Sequence, residues 1–88
     1  MEIILSPQAL EHIQYWKKTN NTVVQERIRA LKNAIIVSPY QGIGKPEPLK
    51  HELAGKWSRR IDRKNRFVYA VENDILYIYS PVFSVATP

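Results

Sequence analysis

Apolar and polar positions divide the chain into a helical first half and a strand-rich second half. Residues 2–5, "EIIL", form a short β-rich run that reads as a buried strand. Ser6-Pro7 then signals a helix start. A serine oxygen can cap the first turn, and proline loses nothing where its N–H would be unpaired anyway. Leu10, Ile13 and Trp16 recur every three residues and predict a helix over about 7–19. "TNN" at 19–21 breaks it, and Thr22-x-x-Gln25 has the form of a capping box opening a second helix. Val24, Ile28, Leu31 and Ile35 give that helix a stripe at i, i+4, i+7 and i+11, and Ser38-Pro39 ends it. Both helices carry an apolar face that needs a partner.

A Gly/Pro-rich loop at 39–48 leads to three strand-like runs, 56–62, 66–72 and 75–80, joined by the polar turns "RKN" and "ND". Period-two alternation puts Trp57 and Ile61 on one face and Ser58 and Arg60 on the other. In the next run Phe67, Tyr69 and Val71 share a face opposite Arg66, Val68 and Ala70. A mainly antiparallel sheet of four or five strands, with the helical hairpin on one face, buries both stripes. The expected class is α+β in the order β-α-α-β-β-β. With 88 residues and no linker or repeat, one domain over 1–88 is expected.

Composition then removes several chemistries. The chain has no cysteine, so disulfides, thiolate metal sites and thiol nucleophiles are out. The first ten residues carry no basic n-region, and no apolar run approaches the roughly 20 residues that span a bilayer. A cytoplasmic protein with no membrane partner is expected. Charge narrows the picture further. Residues 42–66 hold eight Lys/Arg against three Asp/Glu, and the rest of the chain holds five of each. The whole excess of +5 therefore sits in one segment. That is either a solvated basic face or a polyanion site, since clustered cations neutralise phosphates and release counterions.

Candidate chemistry is sparse outside that segment. His12 reads as a surface residue on a polar helix face, and His51 as a polar loop residue. Two separated histidines without a carboxylate cluster make no metal site, and no cofactor is expected. "GIGKPEP" lacks the spacing of a phosphate-binding glycine loop, and no serine has the context of a nucleophile elbow. Glu47 stands out because Pro46 and Pro48 brace it within the basic segment. It is either half of an exposed pair with Lys45 or Lys50, worth about 0–1 kcal/mol, or a general base beside phosphate-holding cations. RNA suits the second reading. Its own 2′-OH attacks the adjacent phosphorus once a base removes the proton, and Lys50, Arg60 and Arg66 are at hand to steady the added charge.

"PYQGIGKPEPLKH" at 39–51, "GKWSRRI" at 55–61 and "RFVYAV" at 66–71, with "YW" at 15–16, closely resemble the YoeB/Txe branch of the RelE superfamily. These are toxins of bacterial type II toxin–antitoxin pairs. The resemblance runs from residue 1 to about 80 and implies a microbial-ribonuclease fold. It also implies a ribosome-dependent endoribonuclease that cleaves mRNA in the A site. The implied partners are the ribosome, mRNA and a YefM-like antitoxin, in a homodimer or a toxin–antitoxin hetero-oligomer that meets operator DNA only through the antitoxin. Carried over by residue, Glu47 and Arg66 are catalytic, as general base and phosphate stabiliser. Lys50 and Arg60 are expected to hold the RNA backbone by the same carry-over, and Lys45, Arg59 and Arg63 of the basic segment are expected to bind RNA with them.

The tail departs from the family pattern. An Arg-Tyr-His-Tyr ending is expected there, with histidine as general acid; this chain has Val82, Phe83, Ser84 and Val85. Serine and valine cannot supply a proton near neutral pH, and Pro81 lacks a donor for strand pairing. Two outcomes stay open: a nuclease impaired in cleavage, or a catalytically dead module that binds antitoxin or co-represses an operon. A gyrase-directed relative of the same superfamily is disfavoured by the carboxylate in "KPEPLK".

Overall fold

The structure, a computed structural model, describes the backbone of residues 1–63 and 65–83, and side chains as far as residue 79. The expectation for Ser84 and Val85 lies outside the described residues. Strand β1 (Glu2–Leu5) leads into helices α1 (Pro7–Lys18) and α2 (Thr22–Val37). A two-residue strand β2 (Glu47–Pro48), a 3-10 turn at His51–Leu53, and strands β3 (Trp57–Arg60), β4 (Arg66–Glu72) and β5 (Ile75–Phe83) follow. The five strands form one sheet in the order β1-β5-β4-β3-β2, in which only β1 and β5 run parallel. The α+β class and the antiparallel core of the sheet agree with the pattern of the sequence. β2 is an addition, since two residues are too few to show alternation.

The helix starts are chemically explained. Ser6 caps α1 by accepting from the Ala9 amide at 3.0 Å, and its hydroxyl donates to the Tyr79 carbonyl at 2.6 Å, tying the helix to β5. For α2 the cap is Asn21, not Thr22: Asn21 Oδ1 accepts from the Val24 amide at 3.2 Å. Asn is at least as good a cap as Thr, and taking it one residue earlier adds Thr22 to the helix. Gln25 is thereby released from a capping role. Its amide nitrogen donates to the Trp16 carbonyl at 2.9 Å, satisfying an end group of α1.

The core lies between the helices and one sheet face. Val24, Leu31 and Ile35 of α2 meet Phe67, Tyr69, Leu76 and Ile78, with Ala9 from α1. The α1 stripe is rotated from its expected position: Ala9 is fully buried while Leu10 is 46% exposed. β1 is also not buried. It sits at the sheet edge, and Ile3, Ile4 and Leu5 are each about two-fifths exposed.

Strand lengths differ in informative ways. β3 covers four residues where seven were expected, because Asp62 and Asn65 fold the turn early; Asn65 donates its amide to Asp62 Oδ1 at 2.8 Å. The β4–β5 turn is Asn73-Asp74 with φ of 54° and 62°, the left-handed pair that a type I′ hairpin requires. β5 passes through Pro81 to Phe83, three residues beyond expectation. The register explains how proline is tolerated. Val68 pairs with Ser80 and Arg66 with Phe83, so the strand bulges across 81–82 and no ladder donor is needed there.

Candidate active site

The helix-free face of the sheet carries the basic segment's chemistry. Glu47 of β2 pairs with Ser58 of β3, Ser58 with Val68 of β4, and Arg60 with Arg66. Directly paired residues share a face, so these five side chains stand on the sheet face opposite Phe67 and Tyr69. Glu47 Oε2 lies 3.9 Å from Arg66 Nη1. The carboxylate is 56% exposed and the guanidinium 18% exposed. An ion pair this open adds little to stability. Its geometry is the more telling feature: a carboxylate open to solvent is held beside a largely covered guanidinium.

What holds Glu47 there is the preceding loop, and the anchor of that loop is Arg59. This residue was expected to bind RNA; the structure corrects that. Arg59 is fully buried and faces the helices. Its Nη2 donates to the carbonyls of Ser38 at 2.6 Å and Gln41 at 2.8 Å, and its Nη1 to Ile43 at 3.2 Å. Nε donates to the Tyr69 hydroxyl at 3.2 Å, which in turn donates to the Pro39 carbonyl at 2.6 Å. A buried cation without such partners costs several kcal/mol. Here carbonyl oxygens surround it, one of them at the C-terminal end of α2 where the helix dipole is negative. Burial, above all, pushes the Tyr69 hydroxyl above its ordinary value of 10.0, so it stays protonated and keeps donating.

The loop then closes on the sheet. Gly44 accepts from the Arg60 amide at 2.7 Å, and a Cβ on Gly44 would lie 2.7 Å from Leu31 Cδ2. Lys45 takes φ of 51° although it precedes Pro46, so the bias toward extended backbone fails at that one residue. The chain turns there and enters β2 with Glu47 extended.

The other expected cations are placed as follows. Arg60 is exposed beside Arg66. Lys45 and Lys50 are exposed, two residues before and three after Glu47. Arg63 is exposed in the β3–β4 turn. His51 is exposed at the start of the 3-10 turn. Among the described residues no group of three or more His, Cys, Asp and Glu could hold a metal. One polar group had been missed. Ser58 Oγ, opposite Glu47 in register, is buried and has no hydrogen-bond partner among the described residues.

The sequence profile of the YoeB-like toxins of bacterial type II toxin–antitoxin systems matches residues 5–83. The chain belongs to that family. It is 44% identical over 78 residues to Toxin YoeB of Escherichia coli K12, covering 89% of this chain and 92% of the relative. In three dimensions it resembles a YoeB/ParE toxin from Agrobacterium tumefaciens, with a TM-score of 0.90, 34% identity and coverage of 94% and 98% of the two chains. It also resembles the toxin chain in a heterotetrameric YoeB-YefM complex from Staphylococcus aureus, with a TM-score of 0.87, 37% identity and coverage of 94% and 95%. Family membership agrees with the fold, the basic face and the Glu47–Arg66 pair lying on one molecule. No helix among the described residues is long and apolar enough to cross a membrane.

Proposed function

We propose that this YoeB-like toxin is an endoribonuclease acting on mRNA in the ribosomal A site of the cytoplasm, and that a YefM-like antitoxin holds it in check. The observation that carries the reading is the Glu47 carboxylate 3.9 Å from the Arg66 guanidinium on the open sheet face. Glu47 takes the proton of a ribose 2′-OH, and the freed oxygen attacks the adjacent phosphorus. Arg66, with Arg60 beside it, steadies the charge of the pentacoordinate phosphate. The 5′-oxygen leaves and takes a proton from solvent, giving a 2′,3′-cyclic phosphate and a 5′-hydroxyl. The nucleophile is internal to the substrate, so the step needs no activated water. Lys45, Lys50 and Arg63 contribute sequence-independent attraction to the RNA backbone. Antitoxin pairing rests on the Staphylococcus aureus complex of a close structural relative.

Cleavage by this chain is expected to be slow. Val82, Phe83, Ser84 and Val85 offer no imidazole to protonate the leaving oxygen, and loss of a general acid costs about 10²–10⁴ in rate. That same feature favours the alternative of a toxin relic that binds antitoxin alone. A ribosome-programmed mRNA assay separates the two. In the nuclease reading, Val82→Arg, Phe83→Tyr, Ser84→His and Val85→Tyr together raise cleavage by about 10²-fold or more. Adding Glu47→Gln abolishes it while ribosome binding persists. Undiminished cleavage with Glu47→Gln would remove the carboxylate from the mechanism.

A further inference from the structure

Beyond the Glu47–Arg66 pair, a hollow of about 400 Å³ lies where Leu53, Lys56, Val68 and Tyr79 meet the start of α1 at Ser6, Pro7 and Gln8. Val68 joins it to the candidate active site. It stands two residues along β4 from Arg66, about 6.6 Å away at the usual strand rise, a span that one nucleotide bridges. The hollow is mostly apolar, with one aromatic wall and one cation. Lys56 Nζ rests over the Tyr79 ring, 4.5 Å from its centroid. An aromatic face, an ammonium group and an apolar floor, one step from a phosphate site, match a stacked base with its phosphate.

We propose that this hollow is a nucleobase subsite, taking the base next to the scissile phosphate of a single-stranded RNA. The assignment rests on the nuclease reading for its direction along the strand. Tyr79 supplies the stacking face, and Leu53 and Val68 close on the edges of the base. Lys56 covers the ring in the free protein and moves to the adjoining phosphate when the base arrives. The exchange trades a half-buried cation–π contact for a base stacked on tyrosine and an ammonium paired with a phosphate. Neither Lys56 nor Tyr79 was singled out from the sequence. Lys56 was one cation among eight, and Tyr79 was one apolar position in a strand.

The test uses the full chain and a four-nucleotide 2′-O-methyl RNA, which lacks the 2′-OH and is not cleaved. Affinity is read from amide chemical shifts during titration. Replacing one base of the probe by an abasic residue weakens binding to the unaltered chain by about tenfold. In Tyr79→Ala the intact probe binds about tenfold more weakly, and the same abasic change costs nothing further. Tyr79→Phe keeps the ring and restores the sensitivity, which guards against a folding defect in the alanine variant. An abasic penalty equal in all three proteins overturns the subsite. So do shifts confined to Arg60 and Arg66, with none at Lys56 or Tyr79, and so does a probe that fails to bind. None of these outcomes depends on cleavage. The Glu47→Gln result therefore judges the nuclease reading separately.

Discussion

Arg59 and Arg60 are neighbours in one short strand, and the sheet sends them to opposite environments. Arg59 turns into the helix-covered side, where it is fully buried and donates to three carbonyls and a phenol. Arg60 turns out onto the open face beside Arg66 and is exposed. One guanidinium anchors the loop and the other stays in solvent. The comparison separates two placements of positive charge that composition merges: Arg59 gives up solvation to fix the loop before Glu47, and Arg60 keeps it on the open face.

The strongest way to break this contrast is Arg59→Ala. It leaves the carbonyls of Ser38, Gln41 and Ile43 without their buried donor, and about 3–5 kcal/mol of stability should be lost. Urea unfolding measures it. A loss below about 1 kcal/mol would mean that water replaces the guanidinium easily and that the loop is not anchored from within. Gly44→Ala probes the same loop from its other end. The added methyl would meet the fully buried Leu31 at a backbone φ of +83°, so about 1–3 kcal/mol is expected.

Much of this was legible beforehand. The helix hairpin, the sheet class and the exposure of Arg60 all follow from periodicity and alternation. Alternation also placed Arg59 with Trp57 and Ile61, so its burial was written in the pattern. Its place in the basic segment counted it among the RNA-binding cations instead. What sequence does not reveal is that carbonyls of a loop some 20 residues upstream converge on it. The same blindness hid β2, which exists only through its pairing with β3. It also hid the bulge that lets Pro81 sit within a strand.

Tyr69→Phe sharpens the comparison with a smaller effect and a pH signature. It removes the donor to the Pro39 carbonyl and one acceptor of Arg59, a loss of about 1–2 kcal/mol at neutral pH. In the native chain the Tyr69 hydroxyl holds its proton more tightly than in the unfolded chain, because burial raises its value above 10.0. Its contribution is therefore complete below pH 10 and declines as pH rises through the folded value. Urea midpoints followed into the alkaline range should fall more steeply for the native chain than for Tyr69→Phe. Parallel curves would show that the hydroxyl is not held as the structure has it.

Arg60→Ala should move stability least. The side chain is exposed, and its backbone bonds to Gly44 and Arg27 do not involve the guanidinium, so the urea midpoint stays where it was. The effect belongs instead to RNA. If Arg60 meets one phosphate, the slope of log affinity against log salt for the uncleavable probe becomes shallower by about 0.7. Arg59→Lys supplies the mirror image. It keeps the charge, loses the planar fork that reaches separate carbonyls, and so lowers the urea midpoint while the salt slope is unchanged. Should the two variants trade results, with Arg59 setting the salt slope and Arg60 the midpoint, the division of labour along β3 would be reversed. The loop before Glu47 would then need another anchor.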